Sequence, residues 1–381
     1  LGPDVKALVT VPWVGVGGAD IVSLNYARAI HRSTPYAGKT RILATFLAER
    51  TKPELIPTDI GFVQLDPSWL GLEPHLQRRL IAQLFVLARP EIVVSVNSFH
   101  VTNALQAFHR QMRERTRIYT TLFAFDRIGA GYPVNPITDD AQRGFLDDIA
   151  GTITDNTATA RIIGDILALD PERVLVHRQP VMDETPSLNE STHAFTDVDF
   201  VDTKPFRLLW PHRLDEEKSP ATLVALSKAL RDNGMPARSG VWGQRVLGSD
   251  GETLMTDLED AGVVYRGPYA GGLATLPTDQ YHALLLTSKS EGLPLVLVQS
   301  MLLGLPVIAS DVGGVSDIVE DGKTGLLTAG PDDIDGFVRS ICSLMRTAPL
   351  RRDLIRQGHQ RAAELHGWPS FQLAVERSIA F

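Results

Sequence analysis

The stretch ALLLTSKSEGLPLVLVQSMLLGLPVIAS (residues 283–310) is typical of an apolar strand, a loop, a short apolar helix and a second apolar strand. The helix is predicted to begin near Pro294 or Leu295 and to end at Gly304, a natural C-terminal cap. Strands that are buried on both faces and joined by a helix usually run parallel. The stretch therefore predicts one βαβ unit of a parallel sheet.

Similar apolar, β-branched runs alternate with amphipathic stretches on both sides of this unit. They are KALVTV (6–11), RILATFL (41–47), EIVVSV (91–96), RIYTTLF (117–123), RVLVH (173–177), FRLLWPH (206–212), SGVWG (239–243), VVYRG (263–267) and TGLLT (324–328). The acidic, turn-rich stretch at 183–204 separates two such series and is typical of a connection between domains. The pattern predicts two consecutive doubly wound α/β units.

Composition and charge exclude several classes of protein. The chain has 381 residues, 44% of them hydrophobic, and a formal net charge of −8, which argues against non-specific binding to nucleic acid. The single cysteine, Cys342, allows neither an intrachain disulfide nor a cysteine-based metal cluster and favours a reducing compartment. No apolar run reaches the length of a membrane span, and no signal peptide is visible. The first residue is Leu1 instead of Met, which suggests either a trimmed chain or a piece cut from a longer polypeptide.

The first candidate loop follows the first predicted strand, in VPWVGVGGADIVSLNYARAI (11–30). Gly15, Gly17 and Gly18 would let backbone amides approach an anion at the start of a helix. A tight strand-to-helix turn would need the same glycines, so both interpretations stay open. The spacing is not that of a dinucleotide fingerprint, which argues against a nicotinamide enzyme.

The second candidate loop, WPHRLDEEKSP (210–220), contains Arg213 and Lys218 between a strand end and a helix start. A guanidinium and an ammonium group that converge in this way suit a diphosphate. The alternative is a solvated loop in which Lys218 pairs with Asp215 or Glu216.

The third candidate loop lies within the opening stretch. Glu291 precedes the apolar helix, Gln299 lies about one turn inside it, and the amides of Gly292 and Leu293 are placed to meet a phosphate at its positive end. An unpartnered amide in an apolar setting costs free energy, so Gln299 should have a partner. That partner is either an extended ligand, which Glu291 would also contact, or a buried backbone group.

The stretch EGLPLVLVQSMLLGLPVIASDVGGVSDIVEDGKTGLL (291–327) resembles the signature of the retaining glycosyltransferases of family 4, in which seven residues separate two glutamates. Companion segments appear in the family's order: GVGGAD (15–20), RLDEEK (213–218), VVYRGPY (263–269) and HGWPSF (366–371). The resemblance implies the α/β fold called GT-B, in which two doubly wound Rossmann-like domains face each other across a cleft. The implied domains are an acceptor-side domain of residues 1–182 plus 367–381, a linker of 183–204 and a donor-binding domain of 205–366.

The resemblance also implies roles for the residues of the donor site. Arg213 and Lys218 would hold the donor diphosphate, Glu291 would bind hydroxyls of the transferred sugar, and the amides of Gly292 and Leu293 would meet phosphate. Gln299 replaces the second family glutamate at the ribose and lacks its charge-assisted acceptor pair, which predicts weaker or altered nucleotide binding. The other implied donor-binding residues are Gly17, Gly18, His212, Tyr265 and Arg266.

A second departure from the family concerns the acceptor side. Phe125 occupies the position of a family histidine that contacts the donor sugar, and a phenyl ring cannot form that hydrogen bond. The acidic residue that follows, Asp126, is a candidate catalytic group. Asp126, Asn97 or His100 could substitute for the histidine, but each is equally typical of a turn or core residue.

The resemblance therefore implies a retaining, metal-independent hexosyltransferase without a cofactor. It would move a sugar from a nucleotide diphosphate donor to a glycan or lipid-linked acceptor in the cytoplasm, and by family analogy a donor phosphate oxygen would take the acceptor proton. The acidic motif DVD (197–199) lies in the linker and is not placed to hold a metal. Two alternatives remain, a non-catalytic GT-B module of a larger glycan-assembly protein and a nucleotide-sugar epimerase of similar fold.

Two basic stretches, LQRRL (76–80) and HRQMRERTR (109–117), could face an anionic lipid-linked acceptor or make peripheral contact with the inner face of the membrane. A solvated helix face is the simpler interpretation, because Glu114 interrupts the second stretch.

Overall fold

The computed structural model of the chain describes residues 2, 4–15, 18–46, 51–123, 144–181, 188, 200, 204–245 and 253–380. The chain divides into two compact units, one of Leu1–Pro180 with Trp368–Phe381 and one of Val181–Gly367. Most of the predicted linker, 183–204, lies outside the described residues. Within the described part of the chain, no helix combines the length and the apolar character needed to cross a membrane.

The first unit is built on a parallel sheet. Its described strands are β1 (Ala7–Val11), β2 (Thr40–Ala44), β3 (Gly61–Gln64), β4 (Ile92–Ser95), β5 (Arg117–Thr121), β6 (Gly151–Thr154) and β7 (Val174–Val176). They lie in the order β3-β2-β1-β4-β5-β6-β7, and all neighbouring pairs are parallel. Val9 of β1 lies opposite Ile42 on one side and Val94 on the other. These central strands are buried on both faces, which explains their continuous apolar sequence.

Helices follow the strands of this sheet: α1 (Gly18–Arg32), α2 (Pro74–Ala88), α3 (Phe99–Met112) and α4 (Thr157–Leu167). Apolar residues form two separate core clusters; one includes Tyr26 and Ile30 of α1, and the other includes Phe85 of α2 and Leu105 of α3. The start of α4 is capped by Asn156, whose side-chain oxygen accepts from the Thr159 N–H at 2.7 Å.

The second unit repeats this architecture. Its described strands are β8 (Phe206–Trp210), β9 (Ala237–Val241), β10 (Val264–Tyr265), β11 (Ala283–Leu286), β12 (Val307–Ser310) and β13 (Leu326–Thr328). They are parallel and lie in the order β10-β9-β8-β11-β12-β13. The described helices are α5 (Pro220–Asp232), α6 (Leu254–Asp260), α7 (Leu295–Leu302), α8 (Val315–Ile318), α9 (Ile334–Arg346) and α10 (Ala348–His366).

The last helix, α11 (Trp368–Val375), continues into a π-helical turn at Glu376–Ala380 and packs on the first unit. The Phe371 ring lies 5.3 Å from the ring of Tyr26 in an edge-on arrangement. Tyr119 donates its hydroxyl hydrogen to the Ser378 carbonyl oxygen at 3.0 Å. Both apolar and polar contacts therefore hold this segment against α1 and β5.

The predicted fold class of two doubly wound parallel units is confirmed, with two strands missed by the sequence analysis. The missed strands are β3 (GFVQ), which is only half-buried, and β6 (GTIT), which contains glycine and two threonines. Neither has the apolar run that identified the other strands. The strand predicted at 239–243 begins two residues earlier in the structure, at Ala237. Ala237 lies opposite Phe206 of β8, and the Phe206 N–H donates to the Pro236 carbonyl oxygen.

Candidate functional site

Two loops of the second unit meet at the carboxyl ends of the neighbouring strands β8 and β11. The chain builds the sheet outward from β8 in two directions: β9 and β10 lie on one side of β8, and β11, β12 and β13 lie on the other. The direction of strand order therefore changes between β8 and β11. Ligands of open parallel sheets bind at such a switch point. The first loop (211–219) carries Arg213 and Lys218, and the second (287–294) carries Glu291.

The centre of this site is an ion pair between Lys218 and Glu291. The Lys218 Nζ lies 2.8 Å from the Glu291 Oε1, and the two side chains are only 15% and 9% exposed. Ser288 donates its hydroxyl hydrogen to the same Oε1 at 2.5 Å. The alternative that Lys218 pairs with Asp215 or Glu216 is wrong for its side chain, since Asp215 instead accepts from the Lys218 backbone N–H.

Arg213 lies in the same loop with a side chain that is 55% exposed. Its guanidinium lies 3.1 Å from the Asp215 carboxylate and 3.4 Å from that of Glu217. Exposed ion pairs of this kind contribute little free energy. The guanidinium can therefore exchange a carboxylate for a phosphate at low cost.

Buried polar side chains fix the positions of the two loops. The Thr287 hydroxyl accepts from the Trp210 Nε1–H at 2.8 Å and donates to the Lys218 carbonyl oxygen at 2.9 Å. His212 donates through Nε2 to the Leu285 carbonyl oxygen at 2.8 Å, and burial lowers its pKa to about 3, so the ring is neutral. His212 thereby ties the first loop to β11.

A third loop, after β12, contacts the backbone of Glu291 and Gly292. The Gly314 N–H donates to the Gly292 carbonyl oxygen at 2.9 Å. Gly313 has a φ of 56°, and a β-carbon there would lie 1.8 Å from the Glu291 carbonyl oxygen. Only glycine permits this backbone approach.

Sequence analysis did not identify Thr287, Ser288 or Gly313 as part of the site. The sequence did offer two signals. Thr287 and Ser288 end the predicted strand at 283–288, and Gly313 and Gly314 follow the predicted strand at 306–310.

Gln299 has its partner within the protein. It is half-buried on α7, and its Oε1 accepts from the Leu273 backbone N–H at 3.2 Å. Gly272, at a φ of 82°, lies against the same side chain; a β-carbon there would be 3.2 Å from the Gln299 Nε2. The contact with a backbone group is the second of the two partners foreseen for this residue, and its role at a ribose stays a prediction.

Four further candidate donor-binding residues lie in the second unit. Gly292 and Leu293 immediately precede α7, beside Glu291. Tyr265 ends β10, two strands away from β8, and donates its hydroxyl hydrogen to the Gly243 carbonyl oxygen at 3.0 Å. Arg266 is exposed next to it.

In the first unit, candidate residues follow β1 and β4, which are neighbours at that sheet's own switch point. Gly18 is the first residue of α1, and Asn97 is exposed after β4 with a left-handed φ of 49°. His100 is buried among the rings of Phe46 and Trp69, and burial lowers its pKa to about 4. Gly17, Phe125 and Asp126 lie outside the described residues.

Over the described ranges, no group of three or more His, Cys, Asp or Glu side chains is arranged to hold a metal ion. The charged groups at the second unit's switch point are instead two cations and the carboxylates that face them.

Comparison with solved structures defines the fold as GT-B. The structure is similar to that of Anabaena Alr3699/HepE in complex with UDP, with a TM-score of 0.76 over 98% of this chain and 99% of that chain. The two sequences are 15% identical, so this likeness concerns the fold alone.

Sequence comparison points to one family over part of the chain. Residues 269–361, which include Glu291 and Gln299, match the family of glycosyl transferases group 1. The chain is 29% identical to the sulfoquinovosyl transferase SQD2 of Arabidopsis thaliana over 41% of its length, and 30% identical to a D-inositol 3-phosphate glycosyltransferase of Thermomonospora curvata over 43%. It spans only 29% and 40% of the lengths of these two relatives.

Proposed function

We propose that this chain is a glycosyltransferase that moves a sugar from a nucleotide diphosphate donor to a glycan or lipid-linked acceptor with retention of configuration. The observation that carries the proposal is the Lys218–Glu291 pair at the β8–β11 switch point, with the exposed Arg213 in the same loop. The match of residues 269–361 to glycosyl transferases group 1 supports it. UDP is a suitable first nucleotide to test, because the solved relatives of this fold include complexes with UDP and UDP-glucose.

In this proposal, each charged group of the site has one step. Arg213 and Lys218 supply positive charge where a leaving diphosphate develops negative charge, and the amides that precede α7 add to it. The resting Lys218–Glu291 contact orients the carboxylate, so that it can accept from sugar hydroxyls when the donor enters. We infer that these cations perform the role that a metal performs in other transferases, and that a donor phosphate oxygen takes the acceptor proton.

The test is release of UDP from UDP-glucose and other UDP-sugars, with and without mixed glycan acceptors. Glu291→Ala should lower the rate by about a hundredfold or more, as expected for loss of a charged contact to the reacting sugar. Glu259→Ala is the matched control, because Glu259 is exposed on α6 of the same unit. It should leave the rate unchanged.

The remaining outcomes separate the alternatives. Nucleotide diphosphates that raise the unfolding temperature without any sugar transfer would indicate a non-catalytic module. Conversion of one UDP-sugar into another without an acceptor would indicate an epimerase. Absence of both binding and turnover across the panel would overturn the proposal.

A further inference from the structure

A pocket of about 140 Å³ opens in the second unit at the amino end of β9, between helices α5 and α6. The candidate donor site lies at the opposite edge of the same sheet, beyond the carboxyl ends of β8 and β11. Helix α5 begins directly after the loop that carries Lys218 and reaches the pocket with its last turns. Its 13 residues span about 20 Å. The pocket is therefore separate from the pair of Lys218 and Glu291.

Two arginines line this pocket, and its described lining contains no Asp or Glu. The Arg238 Nη1 donates to the Ala237 carbonyl oxygen at 2.8 Å, so the guanidinium folds back over the start of β9. The Arg231 Nη1 donates to the Asp260 carbonyl oxygen at 2.8 Å, which ties that guanidinium to the end of α6. The Asp232 carboxylate lies 3.9 Å from the Arg231 Nε, with both side chains more than half exposed. Such a contact neutralises little charge.

The register of the sheet places a third arginine beside the pocket. Arg207 of β8 lies directly opposite Arg238 of β9, so their side chains leave the same face of neighbouring strands. Like charges in opposed positions destabilise a sheet. Both side chains are exposed, and neither has an ion pair within the part of the chain that the structure describes. A bound anion would relieve this repulsion.

The buried side of the pocket supplies hydroxyl groups. Ser227 of α5 and Ser239 of β9 are only 9% and 4% exposed, and their hydroxyl oxygens lie 3.4 Å apart. This separation is long for a hydrogen bond between hydroxyls, so each serine can turn its hydrogen toward a ligand instead. Leu230 and Ala261 add a short apolar wall. The pocket thus combines cations, hydroxyl donors and a small apolar surface.

This combination favours a phosphate group over other anions. A phosphate monoester carries a charge of about −1.5 to −2 and three acceptor oxygens, enough for several arginines and two hydroxyls at once. A carboxylate has one charge and two oxygens, which would leave part of the arginine charge uncompensated. We infer that this pocket binds the phosphate group of a small metabolite, at a site distinct from the candidate donor site.

The inference goes beyond the proposed function, and its test needs no turnover. Calorimetry measures the binding of inorganic phosphate and of glycerol phosphate to the full chain at constant ionic strength. Arg238→Gln should weaken the binding of both compounds by about tenfold or more, because it removes charge-assisted hydrogen bonds. Arg213→Gln, in the loop of the donor site, should leave this binding unchanged.

Arg207→Gln provides a second readout that does not depend on calorimetry. Because it removes the repulsion with Arg238, it should raise the unfolding temperature in phosphate-free buffer. It should also reduce the further rise that phosphate produces. Arg339→Gln is the matched control, since Arg339 lies on α9 of the same unit and its side chain is 72% exposed. This variant should match the unmodified chain in both measurements.

The outcomes are distinct. Absence of binding of either compound, or equal affinity in Arg238→Gln and the unmodified chain, would overturn the inference. So would binding that Arg213→Gln removes and Arg238→Gln retains, because the phosphate would then lie in the donor loop. Tighter binding of glycerol phosphate than of inorganic phosphate would support a phosphomonoester that uses the apolar wall. Equal binding of the two, lost in Arg238→Gln, would support inorganic phosphate itself as the ligand.

Discussion

At the scale of single residues, the site depends on contacts between positions that are distant in the chain. Local context was sufficient to single out Arg213, Lys218 and Glu291 as candidates, because charged side chains between a strand end and a helix start are placed to meet a polar or anionic ligand. The pairing of Lys218 with Glu291 joins residues 73 positions apart and could not be predicted from spacing. The same limit applies to Gln299, whose partner Leu273 begins a single 3-10 helical turn, Leu273–Thr275, that sequence analysis did not single out.

Ser288 is a positioning residue by this geometry, because it acts through the Glu291 carboxylate. Ser288→Ala removes one hydrogen bond to a charged group, worth about 1.5–3 kcal/mol. If Glu291 binds the sugar, the KM for the sugar nucleotide should rise by about tenfold or more. Affinity for UDP alone should not change. Steady-state kinetics and UDP titration measure the two quantities separately.

Ser290→Ala provides the control, since this serine belongs to the same loop and is only half-buried. It should behave like the unmodified protein. A Ser288→Ala variant that loses UDP and sugar-nucleotide binding equally would show a general loosening of the loop instead of a role in sugar recognition.

At the scale of elements, helix and strand ends with clear chemical signals were predicted well. Helix α7 begins at Leu295 after Pro294, and Gly304 follows it in the left-handed conformation expected of a helix cap. Strands β3 and β6 were missed because tertiary contacts, more than their own composition, place them in the sheet.

One polar network joins three elements of the first unit. The Tyr26 hydroxyl lies 3.0 Å from the His177 Nδ1, and the His177 Nε2 lies 2.8 Å from the Ser378 hydroxyl oxygen. Ser378 gives its own hydrogen to the Ala374 carbonyl oxygen, so the imidazole must donate through Nε2 and accept at Nδ1. The ring is neutral, and burial lowers its pKa from 6.5 to about 4.

This network makes the first unit sensitive to acid. Because the unfolded chain takes up the proton at higher pH than the folded chain, the stabilisation is complete above about pH 6.5 and is lost as the pH falls toward 4. Between pH 7 and 4.5, the His177 contribution to the free energy of unfolding should fall by about 2 kcal/mol. Urea unfolding of His177→Gln should show a pH dependence that is flatter by this amount. His75→Gln, at an exposed site on α2, should retain the original slope, and equal slopes for all three proteins would contradict the assignment.

At the scale of the whole molecule, alternating apolar runs and amphipathic stretches were enough to predict two parallel sheets. Periodicity reports burial, and burial on both faces identifies a parallel sheet wherever it recurs. It does not report which distant segments pack together. The contact of α11 with α1 depends on the fit of particular side chains, such as Phe371 against Tyr26.

Phe371→Ala tests how much the first unit depends on this last helix. Phe371 is fully buried in the core cluster that contains Tyr26 and Val9, so the change should destabilise the first unit by about 4 kcal/mol. Leu373→Ala, two residues away and exposed, should cost less than about 0.5 kcal/mol. Chemical unfolding of both variants measures the difference. A similar small effect for the two would mean that α11 is not an integral part of that core.

The return of the chain's last helix to the first unit sets an order of events during synthesis. On the ribosome, the residues of Val181–Gly367 are all available before Phe371, Val375 and Ile379 emerge. The first unit is therefore completed after the second, and the nascent protein presents the uncovered side of α1 until Trp368–Val375 and Glu376–Ala380 have been synthesised. Chaperones that recognise exposed apolar surface would meet this chain at α1.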